Sequence, residues 1–295
     1  MFTGCGTALV TPFRKDHTLD ESALRRLVRR QIEEGINFLV PCGTTGESPT
    51  LSRPEHLRVV EITLEEAKGK VPVLGGAGGY NTAEVIELAR ELQHLGVDGI
   101  LSVTPYYNKP TQEGLYQHYK AIADAVSLPI VLYSVQGRTG VNIEPATLKR
   151  LAAIDNIVAV KEASGNIGQM ARVIHEVPEK FIVLSGDDSI TIPLVALGGR
   201  GIISVVSNEI PGEMTRLAQA ALAGDFVKAR AIQRQYLPLM EINFVESNPI
   251  PVKAAMAAMG LCELVYRLPM TPPSPQNQQK IEAVLESCGL LTHAR

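Results

Sequence analysis

Lys161 closes the apolar run Ile157-Val158-Ala159-Val160 and is followed at once by Glu162-Ala163-Ser164-Gly165. An ammonium at the end of a buried strand is costly, because desolvation disfavours its charged form and drives its pKa down. A lysine held in that way is a nucleophile that can form a Schiff base with a carbonyl compound. By position alone, the same residue also fits a side chain whose stem packs while its head reaches water. Its companions decide between the two.

Tyr133 ends a second apolar run, Ile130-Val131-Leu132, and Arg138 follows five residues later. A phenol at a strand end can shuttle a proton, and a planar guanidinium can grip a carboxylate through two parallel hydrogen bonds. Tyr106 and Tyr107 stand after a third run. A fourth, Phe38-Leu39-Val40, leads into Pro41-Cys42-Gly43-Thr44-Thr45-Gly46-Glu47-Ser48. The threonine hydroxyls and backbone N–H groups of such a loop can hold a carboxylate. It lacks the Gly-Lys-Ser/Thr ending of a P-loop. Singly, these features are equally a core tyrosine or a glycine-rich turn. Together, Thr44, Thr45, Tyr107, Tyr133, Arg138 and Lys161 all fall at the expected C-terminal ends of strands two, four, five and six.

The elements that must position them repeat every 20 to 35 residues, roughly the length of a βα unit. Strands are expected over residues 6–10, 38–40, 71–74, 99–103, 130–133, 157–160, 181–184 and 201–205, with helices over 20–34, 54–68, 82–95 and 112–126. Ser52-Arg53-Pro54-Glu55 reads as a capping box and Asn81 as a cap, while Gly35, Gly69 and Gly96 stand where left-handed caps are wanted. Eight such units close into an α/β fold of the (β/α)₈ TIM-barrel type, whose active sites lie at the C-terminal ends of the strands. A doubly wound open sheet is the alternative, but its Gly-x-Gly-x-x-Gly fingerprint is missing after the first strand. Residues 1–223 would form the barrel. Residues 224–295, with helices expected over 225–241, 252–259 and 275–285, would form a C-terminal helical extension.

With 295 residues, 45% of them hydrophobic and 20% charged, the chain can bury a full core. A formal charge of −3 gives no general drive toward nucleic acid or an anionic membrane. No run approaches 18 apolar residues and the N-terminus lacks a signal-peptide pattern, so a cytoplasmic protein is expected. Cys5, Cys42, Cys262 and Cys288 are too scattered for a zinc site or a disulfide framework; Cys42, beside the Thr44 loop, is the one whose modification would matter. His17, His56, His94, His118, His175 and His293 show no ligand spacing, and no metal is expected.

The chain resembles the pyruvate-dependent class I aldolase and lyase family, which includes N-acetylneuraminate lyase. The resemblance runs over essentially the whole length through Ala8-Leu9-Val10-Thr11-Pro12-Phe13, Gly43-Thr44-Thr45-Gly46-Glu47-Ser48, Val103-Thr104-Pro105-Tyr106-Tyr107, Val160-Lys161-Glu162-Ala163, Leu184-Ser185-Gly186-Asp187-Asp188 and Asn248-Pro249-Ile250-Pro251-Val252-Lys253. Arg138-Thr139-Gly140 is similar to the synthase branch of that family. The resemblance implies a Schiff base between Lys161 and pyruvate, with L-aspartate 4-semialdehyde as the aldehyde and no cofactor. It implies Tyr133 as general acid/base and Thr44 as a relay to Tyr107 of a neighbouring subunit, hence a homo-oligomer, at least a dimer, with a tetramer expected. Thr45 would bind the pyruvate carboxylate, Arg138 the aldehyde's carboxylate, and the Ile203 carbonyl the intermediate. Ser48, His56, Glu84 and Tyr106 match positions of a lysine-effector cleft.

One segment departs from the family. Where Asn-Val-Pro is usual after the tyrosine, this chain has Ser134-Val135-Gln136, which leaves room for altered aldehyde specificity. Tyr80 and Arg53 also replace the residues common at the effector cleft. Another pyruvate aldolase or lyase, acting on a sugar acid or a different aldehyde, is the nearest competing reading. A non-catalytic small-molecule binding barrel is the competitor from another class.

Overall fold

The computed structural model describes residues 1–291; His293 lies outside the described residues. Eight parallel strands run in chain order: β1 (Gly4–Ala8), β2 (Phe38–Val40), β3 (Leu74–Gly76), β4 (Gly99–Val103), β5 (Ile130–Ser134), β6 (Ile157–Glu162), β7 (Ile182–Ser185) and β8 (Gly201–Ser204). They hydrogen-bond in the order β2-β1-β8-β7-β6-β5-β4-β3. A parallel bridge between Leu39 and Val73 sets β2 beside β3 and closes the ring. An open sheet has no such closing contact, so the TIM-barrel expectation holds.

Alternation along each strand builds two cores. Phe38, Val40, Leu74, Leu101, Val131, Tyr133, Ala159, Leu184 and Ile203 fill the barrel's interior. Leu39, Ile100, Ile130, Leu132, Val160, Val183 and Ile202 face the surrounding helices instead. Burying both faces is what lets parallel strands read as unbroken apolar runs. Helix starts follow the expected chemistry: Ser52 and Glu55 form the capping box of Arg53–Ala67, and Asn81 caps Thr82–Leu95. Gly35, Gly69 and Gly96 all have positive φ.

Two strand positions differ from expectation. β1 begins two residues earlier, and β3 lies at Leu74–Gly76 rather than 71–74. Paired glycines argue against a strand by propensity. Here Gly76 is required: a β-carbon would stand 2.0 Å from the Cys42 carbonyl oxygen of the loop leaving β2.

The C-terminal extension consists of helices Phe226–Ile242, Ile250–Ala258 and Pro275–Ser287. Tyr236, Leu239, Met240, Ala254, Ile281 and Leu285 join the outer core, so the extension is packed onto the barrel. Among the described residues, no helix is long and apolar enough to cross a membrane.

Candidate active site

Strand periodicity aims the central pair. On β6, Ala159 belongs to the interior and Val160 to the outer core, which sends Lys161 inward and Glu162 outward. Tyr133 and Lys161 are register partners on β5 and β6. The Lys161 Nζ lies 4.3 Å from the centroid of the Tyr133 ring, and the two residues are 4% and 6% exposed. Gly186, after β7, leaves room for the lysine: a β-carbon there would meet Lys161 Cε at 3.1 Å and Ala163 Cβ at 2.6 Å.

A cavity of about 540 Å³ lies at the C-terminal ends of β2 to β5. Thr44, Tyr107, Tyr133 and Arg138 form part of its wall, with Leu101, Val103 and Val135 supplying apolar surface. Thr45, Lys161 and Ile203 are buried and stand off that wall. Tyr107 adopts φ 67° and, at the cavity's edge, is 90% exposed. Among the described residues, no hydrogen bond joins the hydroxyls of Tyr133, Thr44 and Tyr107 within one subunit.

One residue at the site had no role in the sequence reading. Asn248 Nδ2 donates to Thr45 Oγ1 at 3.0 Å, while the Asn248 carbonyl oxygen accepts from Arg138 Nη2 at 3.0 Å. It thereby ties together the two residues expected to bind carboxylates, and its own Oδ1 is buried without a partner. The available signal was its place at the head of the Asn248-Pro249-Ile250-Pro251-Val252-Lys253 motif. Nothing local indicated contacts 110 and 203 residues away. Asp188 was likewise visible only as part of a motif. Buried, it accepts from Ser204 Oγ and from the N–H groups of Val205 and Val206, joining the ends of β7 and β8. Burial raises its pKa to about 6 against the effect of those donors.

The unusual Ser134-Val135-Gln136 segment keeps its geometry. Ser134 points away from the barrel interior, donating to Asn142 Oδ1 and accepting from the Ile143 N–H. Asn142 continues through Gln169 to Glu162. Gln136 is exposed and begins the short helix Gln136–Thr139, which carries Arg138 and closes at Gly140 with φ 68°. Only Val135 of the three lines the cavity.

The four residues expected at an effector cleft divide. Ser48 and Tyr106 line the cavity, and the Tyr106 ring meets Tyr80 edge-on at 5.1 Å. Glu84 accepts from Asn81 at the exposed start of its helix. His56 is buried against the Gly76 carbonyl oxygen at 2.9 Å, and desolvation lowers its pKa to about 4. Arg53 is turned to Glu91, 2.6 Å away. The Cys42 thiol is buried and pushed up in pKa by desolvation, which keeps it protonated and unreactive.

A lysine beside a buried tyrosine at the C-terminal rim of a parallel barrel defines a Schiff-base-forming aldolase or lyase. Residues 1–288 match the model of the dihydrodipicolinate synthetase family. The 4-hydroxy-tetrahydrodipicolinate synthase of Koribacter versatilis is 56% identical over 292 residues, covering 99% of this chain and 97% of that protein. The crystal structure of a dihydrodipicolinate synthase from Thermotoga maritima superimposes with a TM-score of 0.97 at 47% identity, covering 99% of this chain and 100% of that one. A chloride-inhibited dihydrodipicolinate synthase from Acinetobacter baumannii, complexed with pyruvate, gives a TM-score of 0.97 at 44% identity, with the same coverage. The chain belongs to the dihydrodipicolinate synthetase family.

Proposed function

We propose that this chain catalyses the Schiff-base condensation of pyruvate with L-aspartate 4-semialdehyde and the ring closure that follows, the 4-hydroxy-tetrahydrodipicolinate synthase reaction. The observation that carries this reading is the Lys161–Tyr133 pair, the lysine Nζ lying 4.3 Å from the centroid of a tyrosine ring that forms part of the cavity wall. The free amine of Lys161 attacks the pyruvate ketone, and water leaves as the iminium forms. The iminium is an electron sink, so the methyl group loses a proton and becomes an enamine carbon. That carbon bonds to the aldehyde carbon, whose oxygen takes up a proton. The amine of the semialdehyde then attacks the imine carbon, closes the ring and releases Lys161.

Tyr133 moves the protons, with Thr44 relaying them to Tyr107 of a second subunit; the exposure of Tyr107 supports that role, and the relay needs an oligomer. Thr45 holds the pyruvate carboxylate, and Arg138, steadied by Asn248, holds that of the aldehyde. The Ile203 carbonyl faces the intermediate. Because Ser134 and Gln136 stand off the cavity wall, the unusual segment offers no contact that would select a sugar-derived aldehyde. Lysine would act at Ser48, His56, Glu84 and Tyr106, with the Glu84 carboxylate answering its amine.

Pyruvate consumption is the test, with L-aspartate 4-semialdehyde, N-acetylmannosamine and simple sugar aldehydes compared and Lys161→Ala as the blank. Turnover confined to the semialdehyde is expected. Turnover only with another aldehyde would keep the mechanism and replace the substrate. Absence of a borohydride-trapped pyruvate adduct on Lys161 would leave a binding barrel.

A further inference from the structure

Among the described residues, one ion pair has both side chains sealed from solvent. Lys253 Nζ donates to Glu47 Oε1 at 2.6 Å, the two side chains being 0% and 1% exposed. Glu47 ends the turn that carries Thr44 and Thr45, whereas Lys253 lies on helix Ile250–Ala258 of the C-terminal extension, 206 residues further along. The Glu47 backbone is left-handed, with φ 53° and ψ 34°. A residue with a β-carbon holds that conformation where its surroundings impose it. Here its N–H donates to the Thr44 carbonyl oxygen at 3.1 Å, and its own carbonyl oxygen accepts from Thr50. The same turn is tied at Gly46, whose carbonyl oxygen accepts from Thr11 Oγ1, and at Thr45 by Asn248. The Lys253 ammonium is further enclosed by the rings of Phe13 at 4.2 Å and Tyr266 at 5.3 Å.

We propose that Glu47 and Lys253 are positioning residues for the reaction: their ion pair fixes the left-handed turn that places Thr44 and Thr45, so the C-terminal extension takes part in assembling the pyruvate site. The inference rests on the roles given above to Thr44 and Thr45. Desolvating two charges offsets much of their attraction, so such a pair contributes little net stability. Its short contact nevertheless exists in only one arrangement of the turn. Glu47 also lines the cavity, and its Oε2 is buried without a partner, so a shift of this carboxylate is felt at the site wall.

Glu47→Asp tests this most directly, because it keeps the charge and suits left-handed backbone but withdraws the carboxylate by one methylene. The expected result is a fall in kcat of about 10- to 100-fold with a raised pyruvate KM. Borohydride should still label Lys161 fully at saturating pyruvate, since β6 carries the nucleophile. Lys253→Met adds a pH signature. With its cation gone, the buried Glu47 favours its neutral form, so activity should fall as pH rises; the double variant Glu47→Gln/Lys253→Met should lack that fall. Arg267, Tyr266 and Cys262 are the other titratable groups that interact with Glu47, and Arg267 is the remaining cation. If Lys253→Met does not fold, Glu47→Asp carries the test alone. Wild-type kcat and KM in Glu47→Asp would overturn the proposal. Labelling lost in parallel with turnover would also overturn it, because the pair would then only hold the barrel together. Failure of the unmodified protein to be labelled would instead remove the Schiff-base reading itself.

Discussion

Tyr133 and Arg138 stand five residues apart, but different neighbours hold them. Tyr133 is fixed by its register with Lys161, and Tyr133→Phe keeps the ring beside the Lys161 Nζ while removing the hydroxyl. A general acid/base contributes about 10²- to 10⁴-fold, so kcat should fall within that range with little change in stability. Stopped-assay rates and a thermal melt would check both halves. Arg138 is exposed and steadied by one bond to the Asn248 carbonyl oxygen. Arg138→Lys keeps the charge and loses the fork, so the aldehyde KM should rise more than the pyruvate KM. Loss of pyruvate affinity alone would reassign the residue.

At the level of elements, the loops after β2 and β5 meet different demands. Gly76 on β3 gives way to the Cys42 carbonyl oxygen, so Gly76→Ala forces the strand away from the loop that leads to Thr44. The expected cost is about 1–3 kcal/mol, with reduced activity, read from denaturant midpoints and turnover together. Gln136 makes the opposite point. It occupies the first helical position, is exposed, and among the described residues its N–H has no backbone acceptor. Gln136→Pro should therefore leave the aldehyde KM unchanged and stabilise by about 0.5 kcal/mol. A shifted aldehyde preference would show that the departure from the family pattern does act on specificity.

The whole molecule responds to pH through buried groups. Desolvation holds both His56 and His118 at a pKa of about 4, below the ordinary value of 6.5. The unfolded chain then binds more protons between those values, so stability is fully present above about pH 6.5 and is lost as pH falls toward 4. Asp188, raised to about 6, works in the opposite direction from about pH 6 downward, and so do Glu162 and Glu209, whose carboxyls burial also raises above the ordinary value. Melting temperatures taken from pH 7.5 to 4 read the sum of these effects, and His118→Gln, which lacks one histidine's share of the acid loss, should gain stability relative to the unmodified protein as pH falls. Assembly gives a second readout. If Tyr107 serves a neighbour's site, specific activity should drop on dilution in step with dissociation seen by sedimentation velocity. A fully active monomer would remove Tyr107 from the relay.

The eight strands, the capped helices and the rim position of Lys161, Tyr133 and the Thr44-Thr45 loop were legible in the sequence, because unbroken apolar runs, caps and strand ends are local properties. β3 was misplaced because its Gly76 answers a contact with Cys42, not a propensity. Closure of the ring at Leu39 and Val73 was decided only by the fold. So was the reach of Asn248 and Lys253 from the extension to Thr45, Arg138 and Glu47. The sequence by itself determined which side chains could do chemistry and on which strand ends they sit. Tertiary structure decided which of them meet, because hydrogen bonds spanning two hundred residues depend on how the chain returns in space, and no local pattern encodes that return.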